Sequence, residues 1–444
     1  MGVESPGAVL GVPVHHDPSA PAPPGPVPPA PRQSRSSRRL RDAVGDVLAH
    51  GAVEIGFQPV VDLLTREPVG FEALARGPAG SDLETPAALF AAARAAGRLD
   101  ELDWLCQRGA LRAALRAGLR APGVLFLNVE ADASGFLPLD LRTLYAEATG
   151  QMVVAVEVAE HALTRRPGAL LGRVADMRAL GCTVVLDDVG TAPDALATMA
   201  VLEPDVVKLD LAVLSGRPES ELAAVVDAVA AHAERSGATV LVERIETPDE
   251  VRLAETLGAR LAQGWAFGGR EPLVAAPPPP AERSVSPGFH PDPRDTTPFQ
   301  LVSEHCTIRR AGRELLAGLS RHLEEQARAM GRSAVLVGAF QDDERFDAAT
   351  RRRYAELARE LAFCGAVGTG MPAEPAAGVH GGRLHAADPV AREWTVAVVS
   401  PQACGTLCAS APDDAEAGEY DYVITHDRAL AASAAAALMA RIGP

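Results

Sequence analysis

The chain has 444 residues, 47% of them hydrophobic, which is enough for two or three domains with real cores and excludes a chain that is disordered throughout. Its 42 basic and 58 acidic residues leave a net charge of −16, which argues against broad electrostatic binding to nucleic acid or to anionic lipid. No apolar run reaches the roughly 20 residues of a spanning helix, and six scattered cysteines (106, 182, 306, 364, 404, 408) suit reduced cytoplasmic thiols better than a disulfide framework or a zinc ribbon.

Residues 1–41 are Pro-rich and then Arg/Ser-rich, a composition that buries nothing, so a disordered or polyproline tail without a signal-peptide plan is expected. A second break, AAPPPPAERSVSPGFHPDPRDTT at 275–297, reads as a linker that is stiff where prolines run together. These breaks leave a block at 42–274 and a smaller one at 298–444. In the first block, strand-like runs at 55–63, 123–130, 152–160, 182–189, 205–210, 238–245 and 260–267 alternate with helix-like stretches at 86–97, 100–117, 169–180, 218–236 and 248–257. Nearly continuous apolar strands are buried on both faces, as in a parallel sheet. The repeated β-α order predicts an α/β fold of the (β/α)8 barrel type, because a doubly wound sheet would want a glycine-rich phosphate loop that is not present.

Polar residues gather at the strand ends: Glu72, Asn128, Glu157 and Glu160, Asp187 and Asp188, Lys208 and Asp210, Glu243 and Glu246, and Gln263. In a closed parallel barrel these ends converge on one rim. Several carboxylates converging there require countercharge. Glu72, Asn128, Glu157, Asp187 and Asp188 offer the hard oxygen donors that Mg2+ or Mn2+ takes, and no His or Cys set points to zinc. The adjacent Asp187-Asp188 pair lets one carboxylate bridge while the other binds a second ion, the arrangement for in-line phosphoryl displacement. Lys208 is the single Lys among 42 basic residues, and Asn128 is the single Asn. In a chain that uses Arg wherever Arg can serve, a lone Lys marks a place that needs a compact ammonium.

These residues resemble the EAL domain, a cyclic-di-GMP phosphodiesterase family. FQPVVDLLTREPVGFEALAR resembles its opening, with Glu72-Ala73-Leu74 as the signature tripeptide. FLNVE, VEVAE, LDDVGTA, KLD, VERIE and QGWAFG follow in the family's order, seven ordered matches in all. The resemblance implies a modified TIM barrel that hydrolyses cyclic-di-GMP to linear pGpG with two ions, Mg2+ or Mn2+. Glu72, Asn128, Glu157 and Asp187 would hold the first ion, and Asp187, Asp188 and Glu243 the second. Lys208 would bond the attacking water, with Glu243 as a rival base and Glu72 in the catalytic set. Glu160 would brace the Asp-Asp loop. Gln58, Leu74, Arg76, Asp210 and Gln263 are the expected substrate-binding set, Arg76 at a phosphate. The family resemblance also implies a homodimer through the barrel.

Three departures from the family pattern stand out, one of them a loop. Val189 and Ala192 stand where the loop usually has Phe and Gly, Glu130 replaces a Ser, and Arg244 replaces a Gly. Arg244 could point outward, contact phosphate or fill the second ion's place. A barrel that binds cyclic-di-GMP as a receptor without cleaving it is therefore the alternative, and a scaffold barrel serving the second block is a third reading.

The second block reads as a compact α/β domain, with helices at 309–330, 347–363 and 428–441 and strands at 333–340, 394–400, 405–410 and 420–427. TTPFQLV, AFQDDERF, RRRYAELAR, DPVAREWTVAVVS and YDYVITHDRALAASAAAALMARI resemble the DICT sensory domain, which implies a sensor of a signal that tunes the barrel. Phe346, Trp394, His426, Asp427 and Arg428 are its chemically richest positions; packing and a helix start are the structural alternatives for them.

Overall fold

Eight short strands close into a barrel in chain order: β1 (Glu54–Asp62), β2 (Pro68–Arg76), β3 (Val124–Asn128), β4 (Val153–Ala159), β5 (Thr183–Val189), β6 (Val206–Asp210), β7 (Thr239–Glu243) and β8 (Leu261–Ala262). The computed structural model describes residues 35–130, 137–159, 162–190, 194–214, 216–277, 285, 288, 292–411 and 418–443. The helix Arg35–His50 begins inside the segment expected as tail.

Strand periodicity of two explains why this barrel has a site at one end. On alternate positions Val124-Phe126, Val153-Ala155, Val185, Val206 and Leu241 form one buried cluster with Val60, Val69 and Leu261. The next residue in each of those alternating series is polar: Asn128, Glu157, Asp187, Lys208 and Glu243. The interior is thus apolar at the bottom and charged at the top. The other positions, such as Val154, Val156, Leu186, Val207 and Val242, pack outward against the helices in a separate cluster.

The barrel differs from an all-parallel one at β1, which runs antiparallel to both β2 and β8. The reason is the short turn after β1: Asp62 Oδ1 accepts from the Leu64 and Thr65 amides at 2.9 and 3.0 Å, and such a turn cannot carry a parallel crossover. Between β5 and β6 the register shifts after Leu186, and Asp188 there takes φ 58°. This irregularity brings both members of the Asp187-Asp188 pair to the rim, the re-aiming that a bulge allows.

The second unit is a seven-stranded sheet in the order β12-β11-β10-β13-β14-β15-β9, built from β9 (Arg309–Gly312), β10 (Val335–Asp342), β11 (Phe363–Thr369), β12 (His380–Leu384), β13 (Glu393–Val399), β14 (Cys404–Ser410) and β15 (Glu419–Thr425). The stretch expected as helix from 309 starts instead as the edge strand β9, with the helix at Arg313–Met330. β11 and β12 are strands that the apolar-run reading passed over, because FCGAVGT and HGGRL are rich in Gly. One sheet face packs on the helices Arg313–Met330 and Ala348–Glu360. The other packs on Arg428–Met439, whose small Ala side chains allow close approach. That helix in turn meets the barrel helix Asp194–Leu202, so barrel and sheet share one continuous core. Residues Ala195 to Leu202 are all buried.

The structural alternatives account for the rich positions of this unit. Asp427 caps its helix by accepting from the Leu430 amide at 3.0 Å. His426 Nδ1 lies 2.9 Å from the Cys404 carbonyl, and Trp394 Nε1 donates to Ser320 Oγ at 3.1 Å. Arg428 donates to the carbonyls of Ser400 and Pro401. Phe346 is wholly buried, edge-on to Phe340 and Tyr354. All six cysteines are free thiols.

Candidate functional site

Lys208 is the hub of the rim. It sits on β6 at 1% exposure, and its Nζ lies 3.1 Å from Glu157 Oε1, 3.2 Å from Asp187 Oδ1, 3.3 Å from Glu243 Oε2 and 3.6 Å from Glu72 Oε2. Those acids come from β4, β5, β7 and β2, so four strands converge on one ammonium. Burial works against the Lys208 charge, but Asp187, Glu157, Glu72 and Glu243 outweigh it and hold its pKa well above the usual lysine value. Burial pushes Glu157 well up, with Glu72 adding to the rise. Burial likewise raises Glu243, to about 7 against Lys208's opposing pull, and raises Asp188 with help from Asp187.

The amides complete the cage. Asn128 Nδ2 donates to Glu72 Oε1 at 3.1 Å, and Gln263 Nε2 donates to Glu72 Oε2 at 2.7 Å and to Gln58 Oε1 at 3.3 Å. Gln58 Nε2 donates in turn to the Gly268 carbonyl at 3.1 Å. Asp187, Asp188 and Glu243 present carboxylate oxygens that all lie within 4.8 Å of one another. Buried Glu157 Oε2 and Gln263 Oε1 accept no hydrogen bond. A cluster of hard oxygens with unsatisfied acceptors suits a divalent cation of the Mg2+ class.

These groups line a cavity of about 1030 Å3 together with Leu74, Trp265, Arg94, Arg165 and Arg244. The structure thus brings Gln58, Glu72, Leu74, Asn128, Glu157, Asp187, Asp188, Lys208, Glu243 and Gln263 to one place. Arg76, two residues beyond Leu74 on β2, does not line the cavity. Asp210 is 2% exposed, and its Oδ1 accepts from the Ala212 and Val213 amides at 2.8 and 3.3 Å; it anchors a turn, does not line the cavity, and pairs with the cavity-lining Arg244. Val189 is fully buried, whereas Glu160 and Ala192 lie outside the described residues.

Asp103 and Gln107 also line the cavity and were missed, because they stand on the helix Leu99–Ala117 rather than at a strand end. Their signal was two polar residues four apart on the helix's apolar stripe. Gln107 Nε2 donates to Asp103 Oδ2 at 2.7 Å, Tyr145 Oη donates to Gln107 Oε1 at 2.8 Å, and the Glu130 amide donates to Asp103 Oδ1 at 3.3 Å. Burial pushes the Asp103 carboxyl up to about 7. Asp103 and Glu243 are both raised in the fold, so their stabilisation is full below the unfolded carboxylate range near pH 4 and is lost as pH rises through about 7. In EDTA, the melting temperature should therefore fall between pH 5.5 and pH 8, by the equivalent of about 2 kcal/mol per group. A metal-free protein that gains stability over that interval would contradict the burial of these two acids.

An α/β barrel with a caged ammonium and a carboxylate-rich rim is the class that this geometry defines. Residues 37–270 match the EAL domain, more than half of the chain, and the chain belongs to that family. Residues 300–412 match the DICT domain, described as a sensory domain in diguanylate cyclases and two-component systems. Protein y4lL of Sinorhizobium fredii is 29% identical over 54% of this chain and 29% of its own length. The cyclic di-GMP phosphodiesterase NbdA of Pseudomonas aeruginosa is 27% identical over 53% of this chain and 31% of its own. The chain therefore spans about a third or less of these relatives. Among solved structures, the FimX EAL domain of Xanthomonas citri in complex with c-diGMP is 16% identical over 55% of this chain and 97% of that one, with a TM-score of 0.45. Among the described residues, no helix is long and apolar enough to cross a membrane.

Proposed function

We propose that the barrel hydrolyses cyclic-di-GMP to linear pGpG with two divalent cations, Mg2+ or Mn2+. The observation that carries this reading is Lys208, with its Nζ within 3.6 Å of carboxylates from four different strands. Glu72, Asn128, Glu157 and Asp187 would hold one ion, and Asp187, Asp188 and Glu243 the other. When bound, such ions supply Lewis-acid charge to a phosphodiester and make water a competent nucleophile near neutral pH. Lys208 is held rigidly by its ion pairs and positions that water by hydrogen bonding. With the carboxylates engaged by cations, the support that keeps Lys208 protonated weakens, which favours proton acceptance at Nζ. Glu243, raised to about 7, is the rival proton acceptor. Gln263 orients Glu72, and Gln58 and Leu74 line the substrate's side of the cavity.

In the same reading the C-terminal domain senses a signal that tunes turnover. The packing of its helix Arg428–Met439 on Asp194–Leu202, the first described element after the Asp187-Asp188 strand, supports that role. A cytoplasmic setting and a homodimer through the barrel belong to this reading on the family resemblance. Incubation of the full chain with cyclic-di-GMP and either Mg2+ or Mn2+ should yield pGpG, and EDTA should stop it. Tight binding in both metals with no product over hours would assign the receptor role instead.

A further inference from the structure

Arg244 occupies a position whose backbone favours glycine. Glu243 ends β7 with its side chain in the cage, while Ile245 is fully buried, its amide donating to the Gln263 carbonyl at 3.1 Å and its carbonyl accepting from Ala266 at 3.0 Å. Between these two fixed neighbours residue 244 takes φ 61°, the left-handed region. The glycine of the family pattern has a plain reason there, and an Arg is strained. Packing does not explain its presence, since the side chain is 62% exposed. Strain kept at a cavity wall points to a task for the side chain.

The contacts indicate the task. Arg244 Nε lies 3.1 Å from Asp210 Oδ2 and 3.9 Å from Glu243 Oε1. Asp210 is itself fixed by two backbone amides, so the guanidinium is tethered at one nitrogen to a rigid post. Of the other cations lining the cavity, Lys208 is enclosed by four acids, Arg94 is paired with Glu130 at 3.0 Å, and Arg165 ends the short helix Ala162–Arg165 that follows β4. Before cations bind, the wall beside Asp188 and Glu243 is acidic, and Arg244 sets a guanidinium beside it. We propose that Arg244 is a substrate-binding residue that holds a phosphate of the dinucleotide, positioned by Asp210. A guanidinium held at Nε keeps its terminal fork for a phosphate, which a lysine ammonium cannot reproduce. This inference rests on the hydrolase reading.

The test is steady-state kinetics of the full chain with cyclic-di-GMP in Mn2+, together with thermal melting. Arg244→Gly should raise KM about tenfold, the loss of one exposed charge-assisted contact, with kcat within about twofold. Arg244→Lys should recover only part of the affinity. Because glycine relieves the left-handed strain, Arg244→Gly should melt within about 2 °C of the wild type, where a structural prop would melt clearly lower. An unchanged KM, full recovery by Lys, or a raised KM accompanied by a clear drop in melting temperature overturns the proposal. If the wild type binds without turnover, calorimetric Kd replaces KM with the same expected ratio. A wild type that neither cleaves nor binds sinks the hydrolase reading and this one together; a wild type that cleaves, with Arg244→Gly unaffected, sinks only this one.

Discussion

Asp187→Asn is expected to abolish both pGpG formation and the thermal stabilisation that Mn2+ gives the protein. Asp187 is the one residue assigned to both cation sets, and the register shift after Leu186 leaves it and Asp188 side by side at the rim. Its Oδ1 is buried and lies 3.2 Å from the Lys208 ammonium. The Asn side chain has nearly the same shape, so packing survives while the bridging charge is lost. Loss of a bridging ligand removes several kcal/mol of transition-state stabilisation, on the order of 10³-fold or more in kcat. In the wild type, cation at about 100 times its Kd should add about 2.7 kcal/mol, or roughly 5–10 °C in melting temperature for a domain of this size. An Asp187→Asn protein that still gains the full shift would show that this acid binds no cation.

Lys208→Met should unfold far more easily than the wild type in EDTA and recover part of the difference in Mn2+. In the metal-free protein Lys208 is the shared counterion of Glu72, Glu157, Asp187 and Glu243. Removing one partner of a buried ion cluster leaves uncompensated charge, at a cost of about 3–5 kcal/mol. Divalent cations among the same carboxylates replace the lost charge. Glu157 and Glu243 are both raised, so they protonate readily as pH falls, and the variant should approach the wild type near pH 5. Turnover should stay at least about 10²-fold down in saturating metal, because water loses its positioning group. A Met variant as stable as the wild type in EDTA at pH 8 would refute the counterion role.

The site was legible because a barrel strand alternates with a strict period of two. Once Val124, Phe126 and Asn128 are placed on one face, the apolar-to-polar switch at the strand end follows, and the same switch recurs in β4 to β7. The solitary Lys and Asn stood out against an Arg-rich background and both lie in the cage. Asp103 and Gln107 were hidden because a helix position carries no such end signal. The reversed direction of β1 was hidden because an apolar run reads the same way in either direction. Arg76 ends β2 outside the residues that line the cavity, because a motif gives residue order and not where a strand leaves the wall. In the sheet domain, β11 and β12 escaped notice because both are rich in Gly, and β9 was absorbed into the helix that follows it.

From Ala195 to Leu202 the helix has no side left for water: one flank rests on the barrel and the other on the alanines of Arg428–Met439. The proline-rich stretch between the halves therefore joins parts that are already welded elsewhere. Cutting the gene there would strip one partner of its cover and leave a greasy scar beside the acidic pair. Substitutions on that helix must satisfy two neighbours at once, which ties the inheritance of the halves together and makes this chain a poor donor for module swapping.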